Sequence, residues 1–179
     1  MQKPKIYLDT STISHLEQAE KPSEQGYSRD LFASIKAGRF EVYLSSVVFD
    51  EIDECSPQGR GALLNHVAEI RFNSLTITDS VNALARMIID KKVLPPKSER
   101  DSYHIAAAII AGCDYIVSWN MKHMANVKIN KKVRHITIDE SLKEILLVYP
   151  SNIPYTRRTK YRQQTKNAVR YNQGQTATL

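Results

Sequence analysis

Residues 5–14 read KIYLDTSTIS, and this stretch decides the predicted fold. KIYL is a short apolar run of the kind that forms a buried strand, and it ends at Asp9. The hydroxyl-rich TSTIS that follows suits the first turn of a helix, which Asp9 or a hydroxyl can cap. A buried strand followed at once by a capped helix is typical of an α/β domain.

The rest of the chain alternates between strand-like and helix-like segments in the same way. Strands are predicted at 5–8, 40–44, 75–78, 115–118 and 132–138, and the main helices at 27–36, 80–91, 99–111 and 139–148. Because strands that alternate with helices form parallel sheets with covered faces, we predict a three-layer α/β/α sandwich with a mainly parallel central sheet. Residues 1–150 are predicted to form this domain, followed by a basic tail at 151–179.

Composition agrees with a single soluble domain. Of the 179 residues, 42% are apolar and 25% are charged, which is close to the average of globular proteins. The longest apolar run, 105–113, is too short to cross a bilayer, and the N-terminus lacks the apolar core of a secretory signal. Cys55 and Cys113 form no CxxC pair, which argues against a disulfide framework or a structural zinc site. We therefore expect a cytoplasmic protein that is not inserted in a membrane.

The net charge of +6 is concentrated at the C-terminal end. Residues 151–179 contain no Asp or Glu, and their basic residues are Arg157, Arg158, Lys160, Arg162, Lys166 and Arg170. The preceding residues hold equal numbers of acidic and basic side chains. Such a segment fits RNA, DNA or an acidic partner, and it equally fits a solvated tail.

Four side chains that could carry chemistry follow predicted strands or begin helices. Asp9 follows the first strand, Glu51 lies in the helix after the second, Asp101 opens the 99–111 helix, and Asn120 follows the fourth strand. In an open parallel sheet, ligands bind beyond the carboxyl ends of the strands, so we expect these side chains to converge there. Oxygen-only ligands suit Mg²⁺ or Mn²⁺. The alternative is that each acid only caps a helix or favours its dipole.

Four segments carry a resemblance to a known family. They are IYLDTSTIS at 6–14, SSVVFDEI at 45–52, SERDSYHIAAAIIAGCDYIVSWN at 98–120 and MKHMAN at 121–126. In this order and spacing they resemble the PIN domain, in particular its VapC-type endoribonuclease toxin branch, over about residues 5–148. The resemblance implies a nuclease that uses Mg²⁺ or Mn²⁺ to activate a water for hydrolysis of RNA phosphodiester bonds.

The resemblance also implies roles for individual residues. The three family acids correspond to Asp9, Glu51 and Asp101, the fourth position to Asn120 and a hydroxyl position to Ser118. Asn120 departs from the usual Asp, which favours a site with one metal. Weaker candidates for phosphate contacts are Thr10, Ser11, Ser118, Lys122 and His123. Candidates for contacts between the tail and nucleic acid are Arg157, Arg158, Lys160 and Arg162.

The implied partners are RNA, a cognate antitoxin and a second copy of the chain. The apolar positions Leu31, Phe32 and Ile35 are one candidate for a homodimer surface, although the sequence does not distinguish that face from the core. Two other functions stay open: a non-catalytic PIN-like module that binds RNA or protein through a weakened metal site, and a structural domain. For His104 and Trp119, burial is favoured over a place in the site.

Overall fold

The computed structural model describes residues 2–120 and 126–154. In chain order the strands and helices are β1 (Lys5–Leu8), α1 (Thr10–Ser14), α2 (Pro22–Lys36), β2 (Glu41–Ser45), α3 (Ser46–Asp53), α4 (Pro57–Ala68), β3 (Asn73–Leu75), α5 (Asp79–Asp90), α6 (Glu99–Ile110), β4 (Tyr115–Val117), α7 (Val127–Asp139) and β5 (Leu146–Val148). Short 3₁₀ turns occur at Pro96–Ser98 and Pro150–Asn152.

The strands of the described residues form one sheet in the order β3-β2-β1-β4-β5, and each neighbouring pair within it is parallel. Helices cover both faces of the sheet. The predicted three-layer α/β/α sandwich is therefore confirmed. The boundary between a domain and a tail near residue 150 stays a prediction, because most of the tail lies outside the described residues.

The central strands are buried on both faces, as strands between two helical layers must be. Ile6, Tyr7 and Leu8 of β1 have no exposed surface, and neither do Ile116 and Val117 of β4. Such strands are recognised by a continuous apolar run, which is why KIYL and YIV were readable from the sequence.

The neighbours β1 and β4 mark the point where the strand order changes direction. From β1 the chain proceeds to β2 and β3 on one side of the sheet, and it then crosses to β4 and β5 on the other side. The connections leave β1 and β4 in different directions, which opens a crevice at their carboxyl ends. Asp9 follows β1 and Ser118 follows β4, so both lie at this crevice.

Two predicted elements near the C-terminal end are wrong. The strand predicted at 132–138 is part of helix α7, because Ile129, Val133 and Ile136 form one buried helical face. The side chain of Asn126 accepts the Ile129 N–H at 2.9 Å and caps this helix. The helix predicted at 139–148 is replaced by a turn and by β5, whose backbone pairs with β4.

The apolar face of α2 belongs to the core. Leu31, Phe32 and Ile35 are each at most 5% exposed within the single chain, so this face is not the homodimer surface considered above. Within the described residues, no helix has the length and apolar character needed to span a membrane.

Candidate active site

Asp9 is a buried carboxylate that joins the ends of β1 and β4. Its Oδ1 accepts hydrogen bonds from the Ser11 hydroxyl at 2.7 Å and from the Thr12 N–H at 3.1 Å. The bond from Thr12 caps α1, so the structural role considered for Asp9 is present. Its Oδ2 accepts a hydrogen bond from the Ser118 hydroxyl at 2.5 Å, and this second bond reaches across to β4.

A chain of hydrogen bonds continues from Ser118 to Asp101. The Asn120 N–H donates to the Ser118 hydroxyl at 2.9 Å, and the Asn120 side-chain amide donates to Asp101 Oδ1 at 2.9 Å. Asp101 lies in the first turn of α6. The predicted residues Asp9, Asp101 and Asn120 are thus brought together at one edge of the sheet, with Ser118 between them.

Glu51 reaches the same edge from α3. It lies next to the chain described above because the Thr10 hydroxyl donates to Glu51 Oε2, and Thr10 follows Asp9 directly. The same oxygen lies 3.2 Å from His104 Nε2. Helix α6 therefore contributes two neighbouring groups to the site: Asp101, bonded to Asn120, and His104, bonded to Glu51.

A buried polar network lies behind Glu51. His104 is 2% exposed; its Nδ1 lies 2.6 Å from the Tyr7 hydroxyl, which in turn lies 2.6 Å from the Ser45 hydroxyl. A protonated imidazole donates from both nitrogens, to Tyr7 and to Glu51, and the Tyr7 hydroxyl then donates to Ser45. The network thus satisfies each of these buried polar groups.

Glu51 and His104 each stabilise the charged form of the other. Burial would raise the pKa of the Glu51 carboxyl, but the hydrogen bond and positive charge of His104, with the Thr10 hydroxyl, hold that pKa below its ordinary value. Burial would lower the pKa of His104, but Glu51 raises it above its ordinary value. Burial raises the pKa of the Tyr7 hydroxyl far above its ordinary value. Glu51 is therefore an ionised carboxylate at neutral pH, and its contact with His104 favours the protonated form of the imidazole.

The oxygen donors of the site suit a hard divalent cation. Within the described ranges, no three His, Cys, Asp or Glu side chains lie close enough together to share one ion. In general, Mg²⁺ keeps several of its waters and binds through one or two carboxylates together with substrate phosphates. Asp9 and Asp101 are the carboxylates at this edge that such an ion would bind, and metal binding stays a prediction.

The structure describes only some of the weaker candidates for contacts with phosphate or nucleic acid. The hydroxyls of Thr10 and Ser11 donate to Glu51 and Asp9, so in this structure they orient the carboxylates. The candidates that lie outside the described part of the chain are Lys122, His123, Arg157, Arg158, Lys160 and Arg162. For all of these, contacts with phosphate stay a prediction.

The sequence did not identify Tyr7 or Ser45 as part of the site, and it predicted the burial of His104 but not its contact with Glu51. His104 is buried, as expected, and it also contacts Glu51. The available signal was the tyrosine inside the apolar run KIYL, because a buried tyrosine hydroxyl needs a polar partner. Trp119 is half-buried beside the site, and its ring N–H donates to the Ser28 hydroxyl at 2.8 Å.

Comparison with known proteins finds a likeness of fold. No family model matches the chain, and no curated protein matches its sequence. Among solved structures, a chain of the VapBC2 complex from Rickettsia felis, bound to a DNA fragment from its promoter, is similar with a TM-score of 0.53 and 12% identity. The match covers 81% of this chain and 98% of that chain. Similarity at this level of identity establishes a shared fold.

Proposed function

We propose that this protein is a Mg²⁺- or Mn²⁺-dependent endoribonuclease and the toxin of a toxin–antitoxin pair. The observation that supports this best is the continuous hydrogen-bonded chain from Asp9 through Ser118 and Asn120 to Asp101. It lies at the carboxyl edge of a parallel sheet, at the switch point where α/β folds bind ligands.

Each residue of the site has a role in this proposal. Asp9 and Asp101 would hold the cation, which when bound lowers the pKa of a water and offsets charge on the phosphate oxygens. Ser118 fixes the orientation of Asp9, and Asn120 does the same for Asp101. Glu51, kept ionised by His104, would accept a hydrogen bond from the attacking water and orient it.

An antitoxin is the protein partner that this proposal requires. One solved structure of similar fold is that of a VapBC2 complex. We propose that a partner protein covers the carboxyl edge of the sheet and blocks access to Asp9 and Asp101. Homodimer formation stays a separate prediction.

A non-catalytic module that binds RNA or protein is the second candidate. The observations that favour it are that Glu51 is already bonded to His104 and Thr10, and that an amide stands at position 120. In that case metal binding would be weak and RNA binding would not lead to cleavage.

Cleavage of RNA by the full-length protein, free of any partner, separates these candidates. A structured RNA and a single-stranded RNA are incubated with Mn²⁺, Mg²⁺ or EDTA, and the wild type is compared with Asp9→Asn. Asparagine keeps an oxygen that can cap α1, so this variant removes the charge with little structural change. The matched control is Asp53→Asn, which removes an exposed carboxylate of α3 that pairs with Arg60.

The nuclease is supported if metal-dependent cleavage is present in the wild type and in Asp53→Asn, and is lost in Asp9→Asn. Absence of cleavage with either metal, from folded wild-type protein, rejects the nuclease in favour of the binding module. Equal cleavage by Asp9→Asn and the wild type would remove Asp9 from the site.

A further inference from the structure

A cluster of aromatic rings surrounds Trp119, the single tryptophan of the chain. The Trp119 ring is stacked with His15 at a centroid distance of 5.5 Å and with Tyr149 at 6.0 Å. Tyr27 lies tilted against it at 6.5 Å. The hydrogen bond from the Trp119 ring N–H to the buried Ser28 hydroxyl holds the tryptophan in place. We call these four rings the aromatic cluster.

The aromatic cluster is connected directly to the candidate active site. In sequence, Trp119 lies between Ser118 and Asn120, the two residues that link Asp9 to Asp101. The Trp119 N–H also donates to the Ser11 hydroxyl at 2.9 Å, and that hydroxyl donates to Asp9. One hydroxyl therefore separates the aromatic cluster from the central carboxylate.

Core packing does not account for the whole cluster. Tyr27 is 42% exposed, and Trp119 and Tyr149 are only half-buried, although large rings in a core are normally covered. A ring that is held by a hydrogen bond and left partly open to solvent, as that of Trp119 is, offers a flat apolar face with little loss of conformational entropy on binding.

Charges of both signs surround the cluster: the Glu24 carboxylate pairs with His15 Nε2 at 2.8 Å, and exposed lysines lie on α7, which packs beside β5. Tyr149 directly follows β5, and Asn130 of α7 pairs through its side chain with the backbone of Leu147 in β5, at 2.9 Å for each bond. Helix α7 is the next described helix after β4 in the chain, so its first turns lie on the carboxyl side of the sheet. Lys128 and Lys131 in these turns are exposed.

We infer that the aromatic cluster binds a nucleobase of single-stranded nucleic acid beside the phosphate that occupies the carboxylate site. This inference rests on the proposed function and specifies its substrate class. A base in a duplex is stacked on its neighbours, whereas an unpaired base is free to stack on an exposed ring such as that of Tyr27. Cations on α7 would attract the phosphate backbone on either side of that base.

Fluorescence of Trp119 provides a readout that does not depend on cleavage. The full-length Asp9→Asn variant, in EDTA, is titrated with a single-stranded RNA oligonucleotide and with an oligonucleotide of equal length that carries abasic residues. We expect the RNA to quench the tryptophan, because a base that contacts the cluster changes the surroundings of the indole. The abasic oligonucleotide is expected to bind at least about fivefold more weakly, since stacking contributes roughly 1–3 kcal/mol per base.

Two substitutions of Tyr27 test the ring itself. Tyr27→Phe keeps a ring that can stack, so it should bind the oligonucleotide as tightly as the protein with Tyr27. Tyr27→Leu keeps only apolar bulk and should bind at least about fivefold more weakly. Dissociation constants come from the anisotropy of a labelled oligonucleotide, because either change alters the starting fluorescence. Thermal unfolding checks that both proteins are folded.

The results separate this inference from the proposed function. Equal affinity of Tyr27→Leu and Tyr27→Phe, or equal affinity for abasic and normal RNA, overturns the inference even if the wild type cleaves RNA. A tryptophan that does not respond to RNA also overturns it and leaves the cluster as a surface for a protein partner. Quenching and ring-dependent binding without any cleavage by the wild type supports base stacking and rejects the nuclease.

Discussion

Carboxylates at the two edges of the sheet have different hydrogen-bond and charge partners. At the amino edge, Asp114 accepts the Lys5 N–H at 2.8 Å through one oxygen and pairs with the Lys143 ammonium at 2.7 Å through the other. At the carboxyl edge, the contacts of Asp9 are with hydroxyls and an N–H, and those of Glu51 are with a hydroxyl and a buried imidazole.

The difference indicates which carboxylates are available for chemistry. The charge of Asp114 is already balanced by a lysine, and its contacts tie β1, β4 and the residues before β5 together. Asp9 is oriented by neutral donors, namely the hydroxyls of Ser11 and Ser118 and the N–H of Thr12. A buried carboxylate of this kind is stabilised further by a cation, which is what a metal-dependent nuclease requires.

The largest expected effect concerns activity. Replacing Asp101 by Asn keeps an oxygen that can accept the Asn120 amide and removes the charge, so we expect the rate of RNA cleavage to fall by at least roughly 100-fold. The corresponding change at the amino edge, Asp114→Asn, should leave the rate unchanged. Initial rates with saturating Mn²⁺ measure both. A similar loss in both variants would mean that the two edges do not differ in function.

The next effect is stabilisation by metal, which does not require any substrate. An ion that binds only the folded protein adds about 2.7 kcal/mol to the free energy of unfolding at 100 times its dissociation constant. We expect Mn²⁺ to raise the melting temperature of the wild type and of Asp114→Asn, and not that of Asp101→Asn. If all three proteins respond alike, Asp101 is not a ligand of the ion.

A smaller effect is expected from the buried network behind Glu51. Tyr7→Phe leaves Ser45 and His104 each without one hydrogen-bond partner in the core, so we expect a loss of about 1–3 kcal/mol in the free energy of unfolding. Urea unfolding measures this loss in metal-free buffer.

The sheet offers a matched control for that change. Tyr43 is the register partner of Tyr7 in β2, and its hydroxyl donates to the half-buried Glu41 near the amino edge. Tyr43→Phe should cost less than about 1 kcal/mol, because water can replace the lost bond. Equal losses in the two variants would show that the Tyr7 network is not a special feature of the carboxyl edge.

The sequence predicted where the site residues lie in the fold better than it predicted which side chains they contact. Asp9 and Asn120 could be placed together because each follows a strand, and the carboxyl ends of parallel strands meet at one edge of the sheet. The contact of His104 with Tyr7 depends on how α6 packs against β1, residues that are 97 positions apart, and no local pattern encodes that packing.

The wrong assignment of α7 has a different cause. The segment 132–138 is rich in β-branched residues, which favours a strand. Its helical face becomes visible only when Ile129 and the Asn126 cap are included, and both precede the segment that was assigned. Likewise, the face of α2 with Phe32 had to be buried somewhere, and only the packing of the whole chain shows that it lies in the core of one copy.

The smallest effect is the dependence of stability on pH at the amino edge. Burial would raise the pKa of Asp114, but the Lys143 ammonium and the Lys5 N–H hold it below its ordinary value of 3.8. A carboxyl group whose pKa is lower in the folded protein binds fewer protons there than in the unfolded chain. Its stabilising contribution is therefore present above pH 3.8 and is lost as the pH falls towards the folded pKa.

Urea unfolding of the wild type and Asp114→Asn between pH 7 and pH 3 measures this dependence. The wild type should be the more stable protein at neutral pH, and the difference should shrink as the pH falls below about 4, because protonation then removes from the wild type the charge that the variant already lacks. A difference that stays constant over this range would mean that Asp114 acts through the geometry of its hydrogen bonds alone. The balance of charge would then not be what distinguishes the amino edge from the carboxyl edge.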